Sequence, residues 1–138
     1  MKLIGERSKL ALRLAETLHG VEGLRLALLF GSRARDEARD DSDVDLVVDA
    51  PVGSLGTIGA LVSEALGQEA DVSRLSEATI PVLRELLRDG ILVYEGRPGT
   101  YATWRAHTLI DLGTDGPWYD RMRDAWLLRV EKRGLGGQ

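Results

Sequence analysis

The sequence predicts an α/β fold of the α+β kind: a small mixed sheet of about four strands flanked by helices, with a helical C-terminal extension. Three observations carry this expectation. Short apolar runs of strand length alternate with segments whose apolar residues recur at helical spacing. Glycine and proline punctuate most of the junctions between them. The 138 residues, 43% of them apolar, suffice for one core and therefore for a single domain.

Taken in order, Leu10, Leu14 and Leu18, with Ala11 and Ala15 beside them, make residues 7–19 an amphipathic first helix, ended by Gly20 and Gly23. The apolar run Leu24 to Phe30 is the first strand, followed by the turn Gly31-Ser32-Arg33-Ala34-Arg35. Asp43-Val44-Asp45-Leu46-Val47-Val48 opens a second strand that reaches Asp49 and is broken by Pro51 and Gly53. Ser54 is the expected N-cap of a second helix running to Leu66 and closed by Gly67. Strand three, Ala70 to Leu75, contains Asp71; a third helix over 79–88 holds Pro81 in its first turn, where proline is tolerated; strand four is Ile91 to Tyr94.

Beyond Tyr94, Gly96-Arg97-Pro98-Gly99 reads as a turn or linker. Two helical segments are expected after it, over 101–112 and 118–132, separated by Gly113-Thr114-Asp115-Gly116-Pro117. The chain thus divides into a domain at 1–95, a helical extension at 96–133 packed on the same domain, and a disordered tail at 134–138. Trp104, Trp118 and Trp126 all fall in the extension. Two readings of them stand: they pack the extension onto the domain, or they form a partner-binding surface, where Trp and Tyr are enriched.

The chemistry centres on Asp43 and Asp45. Successive strand side chains alternate between faces, so these two carboxylates share one face while Val44, Leu46 and Val48 share the other. Two acids side by side repel, and burying them is unfavourable unless a cation lies between them. This suggests a divalent site of Mg²⁺ type with hard oxygen ligands. A small-residue turn carrying a serine and two arginines just upstream suits phosphates, and metal with polyphosphate means nucleotide chemistry. A lone Asp-x-Asp is common in exposed loops, and a lone Gly-Ser is weaker still. Order and spacing carry the argument: apolar strand, Gly31-Ser32 turn, polar stretch, then Ser42-Asp43-Val44-Asp45 opening the next strand.

In these residues the chain resembles the nucleotidyltransferase superfamily that includes DNA polymerase beta, and most closely its minimal nucleotidyltransferase (MNT) proteins, antitoxins to HEPN-domain toxins. The resemblance covers roughly residues 8 to 95. It implies a polymerase beta-like fold with a third carboxylate on a later strand beside the first two, a place filled by Asp71. It further implies Asp43, Asp45 and Asp71 as catalytic and metal-binding residues, and Gly31, Ser32, Arg33 and Arg35 as nucleotide-binding residues. The implied cofactor is Mg²⁺, as two ions with Mn²⁺ as a substitute, and the implied substrate is ATP. An AMP would pass to a tyrosine hydroxyl of a partner HEPN toxin, with which the chain would form a hetero-oligomer. One departure is visible: relatives usually have glycine after the second arginine of the turn, and this chain has Asp36.

Two alternatives remain beside that reading. One is a transferase that modifies a small hydroxylated molecule such as an antibiotic. The other is a catalytically silent domain that masks a partner; Asp36 favours it, and three mutually repelling acids count against it.

Composition limits the rest. There is no cysteine, so no disulfide framework or thiolate metal site, and only His19 and His107 could add nitrogen ligands. A net charge of −4, from 22 acids against 18 bases, argues against nucleic acid as a stable partner. Interleaved Arg33, Arg35, Asp36, Glu37, Arg39, Asp40 and Asp41 read as a solvated loop or a local basic patch. No stretch approaches the ~20 apolar residues of a membrane span, and the N-terminus lacks a signal-peptide core, so a soluble cytoplasmic protein is expected. Arg13 and His19 have the spacing of the HEPN ribonuclease motif, but they fall on a helix that precedes a strand, whereas HEPN domains are entirely helical. His107 reads as a packing or surface residue and Asp49 as a turn residue at its strand end.

Overall fold

In the computed structural model, the described residues are 6–31 and 43–133. The elements follow the expected order: α1 (Glu6–Leu18), β1 (Leu26–Phe30), β2 (Val44–Asp49), α2 (Leu55–Leu66), β3 (Ala70–Arg74), α3 (Ile80–Asp89), β4 (Ile91–Glu95) and α4 (Thr100–Arg133). Short 3₁₀ turns at Val52–Ser54 and Leu75–Glu77 precede α2 and α3.

The four strands form one mixed sheet in the order β3-β2-β1-β4. β1 is antiparallel to both β2 and β4, and β2 is parallel to β3, the two being joined through α2. A parallel pair needs a crossover of this kind, because a tight hairpin can only reverse the chain.

The main core lies on one face of the sheet, while Leu26, Leu28 and Val47 are buried on the other, the side where α3, with its buried Leu86, contacts β1. On the main face, Leu10, Leu14 and Leu18 from α1 meet Ala27 and Leu29 from β1, Val44, Leu46 and Val48 from β2, and Ile58 and Val62 from α2. The helical four-residue spacing and the strand two-residue spacing both turn their apolar sets to this layer. Arg13 fastens α1 to α2: its Nη2 donates to the carbonyl of Ala65 at 2.8 Å. A guanidinium on one of the last carbonyls of a helix satisfies a group that has no partner within the helix. This structural use of Arg13 fits the sequence reading, in which its spacing from His19 is coincidental.

Some local expectations need correction. Ser54 precedes α2 but makes no side-chain cap bond. Its φ and ψ of −88° and −15° already belong to the preceding 3₁₀ turn, so the extended geometry a capping side chain needs is absent. Gly67 does end the helix as expected, left-handed at φ 66° with its N–H on the carbonyl of Ser63.

The larger correction concerns the extension. Instead of two helices there is one of 34 residues, about 51 Å long, with Pro117 inside it. Gly113 and Gly116 carry an entropic cost in a helix but adopt helical dihedrals freely. A proline removes a single N–H and crowds one carbonyl, and helix on both sides can absorb that loss.

The chain divides into two compact units after Thr103. In the second unit, Trp118 and Trp126 are 57% and 55% exposed, with Met122 between them, while Thr108 is buried and bonds the carbonyl of Trp104. His107 is exposed. Among the described residues, no helix is long and apolar enough to cross a membrane.

Candidate active site

The second face of the sheet is acidic at one end. Asp45 on β2 points away from the core, and Asp43, just before the strand, is two residues away and shares its side. On the neighbouring parallel strand, Asp71 is the register partner of Asp45. Side chains at paired positions project from the same face of strands about 4.8 Å apart. The backbone therefore brings all three sequence-predicted acids to adjacent places. Asp49 is on the same face but four residues along β2, roughly 13 Å away, where it lies 3.8 Å from Arg25 in an exposed pair.

Gly31 completes this end of the sheet. Phe30, the last residue of β1, pairs with Asp45, and the chain turns at Gly31 with φ +78°. A Cβ built there would stand 2.6 Å from Oδ2 of Asp45. Glycine both permits the dihedral and leaves open the space against the carboxylate. Ser32, Arg33, Arg35 and Asp36 lie outside the described residues.

Asp45 is only partly buried, yet its carboxyl is pushed above the ordinary value of 3.8. Burial contributes most, followed by the negative charges of Asp71, Asp43 and Glu85. Such a field favours a cation. Asp43 and Asp71 are exposed, so the donor set is hard oxygen at a solvent-accessible place, which suits Mg²⁺ rather than a softer ion. Among the described residues, however, no three His, Cys, Asp or Glu side chains converge into a metal-holding group. The two observations concern different things. Strand register is fixed by the backbone, whereas convergence of carboxylates also depends on their side-chain rotamers.

Glu85, on α3, was not singled out by the sequence. Its signal was slight: it precedes Leu86, the buried residue of a helix that contacts β1. A cavity of about 430 Å³ lined by Arg25, Arg97, Thr100 and neighbouring glycines lies at the other end of β1, away from the acids.

The family described as "Polymerase beta, Nucleotidyltransferase" matches residues 13–98, more than half of the chain and all of the site. The chain belongs to this nucleotidyltransferase family. Its fold recurs in a crystal structure described as a toxin-antitoxin with AMP-PNP, at TM-score 0.64 and 17% identity, covering 83% of this chain and 96% of that one. It recurs in a tri-AMPylated Shewanella oneidensis HEPN toxin in complex with MNT antitoxin, at TM-score 0.61 and 16% identity, covering 87% and 98%. A third neighbour, from Shewanella oneidensis, has TM-score 0.61 at 13% identity, covering 88% and 99%. At such identities the likeness establishes the shared fold. Comparison with curated proteins gives no match. Both the expected polymerase beta-like fold and the expected nucleotidyltransferase family are borne out.

Proposed function

We propose that this protein is an antitoxin that transfers AMP from ATP to a tyrosine hydroxyl of a HEPN-domain partner toxin in the cytoplasm. The observation that carries the reading is the pairing of Asp45 with Asp71, with Asp43 on the same face, in a chain of the nucleotidyltransferase family. Neighbours of the same fold are described as a toxin-antitoxin with an ATP analogue and as an MNT antitoxin with an AMPylated HEPN toxin, which supports donor and acceptor alike.

Asp43, Asp45 and Asp71 are the residues that would hold divalent cations, two Mg²⁺ ions with Mn²⁺ as a substitute. Bound there, such ions supply positive charge to the reacting phosphate and the departing pyrophosphate. The acceptor oxygen forms a bond to the α-phosphorus as the bond from that phosphorus to the bridging oxygen of the β-phosphate breaks. Pyrophosphate leaves with the electron pair. Asp71, the exposed outer acid, takes the hydroxyl proton. Asp45, between Asp71 and the Gly31 turn, holds the donor side, where Gly31 allows phosphate to approach the backbone. Ser32, Arg33 and Arg35 complete the phosphate contacts.

The test is a labelling assay with purified protein, Mg²⁺, α-³²P-ATP and lysate of the source cells, run beside γ-labelled ATP. A protein band labelled from the α position alone, and lost with the Asp43→Asn/Asp45→Asn double variant, is the expected result. Labelling of a small molecule instead would favour an antibiotic-type transferase. No labelling, with a partner still retained, would favour a silent masking domain.

A further inference from the structure

Among the described residues, β3 is an edge strand, bonded to β2 on one side only. The N–H of Val44 donates to the carbonyl of Glu69 at 2.9 Å, which fixes the phase of the ladder. In an extended strand the N–H and C=O of one residue point to the same side, and successive residues alternate. Glu69, Asp71 and Ser73 therefore face β2. The N–H groups of Ala70, Val72 and Arg74 and the carbonyls of Ala70 and Val72 face outward. Among the described residues, no hydrogen bond engages these outward groups.

Natural sheets guard such an edge with short strands, charged side chains (lysine above all), proline or a bulge. β3, Ala-Asp-Val-Ser-Arg, contains no lysine or proline and pairs with β2 without a register shift; of its two charged residues, Asp71 stands on the site face and Arg74 is paired with Glu77 at the strand end. The opposite edge, β4, carries none of the site acids. Of the two edges, only β3 bears a residue assigned to the reaction. Asp71 and Ser73 are exposed on the site face, while Ala70 and Val72 are partly buried against the core on the other.

We propose that the acceptor enters as an extended protein segment adding a strand to the outer edge of β3, with its hydroxyl residue opposite Asp71. This rests on the protein-acceptor reading above and places the acceptor hydroxyl on a segment outside the helices of the partner's HEPN domain. A strand added there would lie about 4.8 Å from β3. The side chain opposite Asp71 would then stand beside the carboxylate that takes its proton, continuing the row Asp45, Asp71, acceptor. Its two neighbours would turn to the other face, over Ala70 and Val72. The segment is thus a hydroxyl residue flanked on each side by an apolar one. Main-chain pairing supplies affinity, and the alternating side chains supply selection.

The experiment measures amide hydrogen exchange by NMR on the full chain carrying Asp43→Asn/Asp45→Asn, with and without the protein labelled in the assay above. The amides of Ala70, Val72 and Arg74 should exchange rapidly alone and at least about tenfold more slowly with the partner, whereas those of Asp71 and Ser73, already bonded to β2, should change little. A second measurement uses Arg74→Pro. The φ of Arg74 is −88°, close to the proline range, and its N–H points outward, so the β2 ladder survives the change. Arg74→Ala is the control, because it also removes the ion pair to Glu77 but keeps the N–H. Arg74→Pro should raise KM for the partner about fivefold over Arg74→Ala at equal kcat and Tm. Unchanged exchange at the three outer amides, or equal KM for the two variants, overturns the proposal while the transferase reading stands. If no protein is labelled at all, that reading fails and takes this one with it.

Discussion

The two faces of β2 differ most at the end of the strand that holds Asp45. Toward the core, Val44, Leu46 and Val48 are fully buried among leucines of α1 and β1 and aliphatics of α2. Toward the other side, one residue out of phase, Asp45 sits beside Asp71 and near Asp43 and Glu85. The first face is close-packed and has no charge to accommodate; the second buries Val47 and gathers mutually repelling carboxylates at its site end. The comparison teaches that the apolar face sets the register and the register assembles the acids. A one-residue slip of β2 would send carboxylates into the core and valines to the site.

Variants on the two faces should therefore fail in different ways, and the largest effect is expected on the acidic face. Asp45→Asn keeps shape and removes charge, so transfer of label to the acceptor should fall about 10³-fold, matching several kcal/mol of lost transition-state stabilisation. Its circular dichroism should match the parent. Loss of folding instead would make Asp45 a structural residue and erase the distinction between the faces.

On the core face, Leu46→Ala should destabilise by about 3 kcal/mol, read from urea unfolding, because a fully buried leucine leaves a cavity among packed neighbours. Activity per folded molecule should stay near the parent's. An equal loss of specific activity would mean that the register of β2 shifts when its core side is weakened.

Gly31→Ala probes the junction of the faces. A left-handed alanine costs about 1 kcal/mol, and its Cβ would press on the Asp45 carboxylate. That carboxylate is the end of a side chain that can rotate away, so folding should be little harmed while transfer falls about tenfold. Steady-state kinetics beside thermal melting separates the two. A variant with parental kinetics would show that the close approach of Gly31 to Asp45 has no part in the reaction.

How far these contrasts were legible in the sequence follows from the range of each interaction. Strand alternation is local, so Asp43 and Asp45 on one face were readable, as was a later strand holding Asp71; that this strand lies beside β2 depends on strand order and was implied only by the family resemblance. The neighbourhood of Glu85 depends on how α3 lies over the sheet, which no periodicity within α3 encodes. Ser54 and the segment 113–117 were misread for a common reason. Both readings used residue preferences at helix ends, yet a preceding 3₁₀ turn displaced the cap, and helix on either side carried the chain through Pro117. In the phosphate turn, Gly31 is the one predicted residue among those described, and its close approach to Asp45 was not foreseeable from spacing.

The smallest expected effect is the most direct test of strain on the acidic face. Because the carboxyl of Asp45 is raised above 3.8 in the folded protein, the native state holds that proton more tightly than the unfolded chain does. The resulting stability is fully present below the ordinary carboxylate value and is lost as pH rises through the raised one. At neutral pH the ionised Asp45 is then a mild liability, softened by solvent because the side chain is only partly buried. In EDTA at pH 7, Asp45→Asn should melt about 1–2 °C above the parent, and the gap should close as pH falls below 3.8. Adding Mg²⁺ should reverse the order, since a ligand bound only by the native state stabilises it, by about 1.4 kcal/mol at ten times its Kd, and the variant has lost a ligand. Identical melting of the two proteins in EDTA would mean that the acids do not strain the fold, and the electrostatic reason for a cation at this face would be gone.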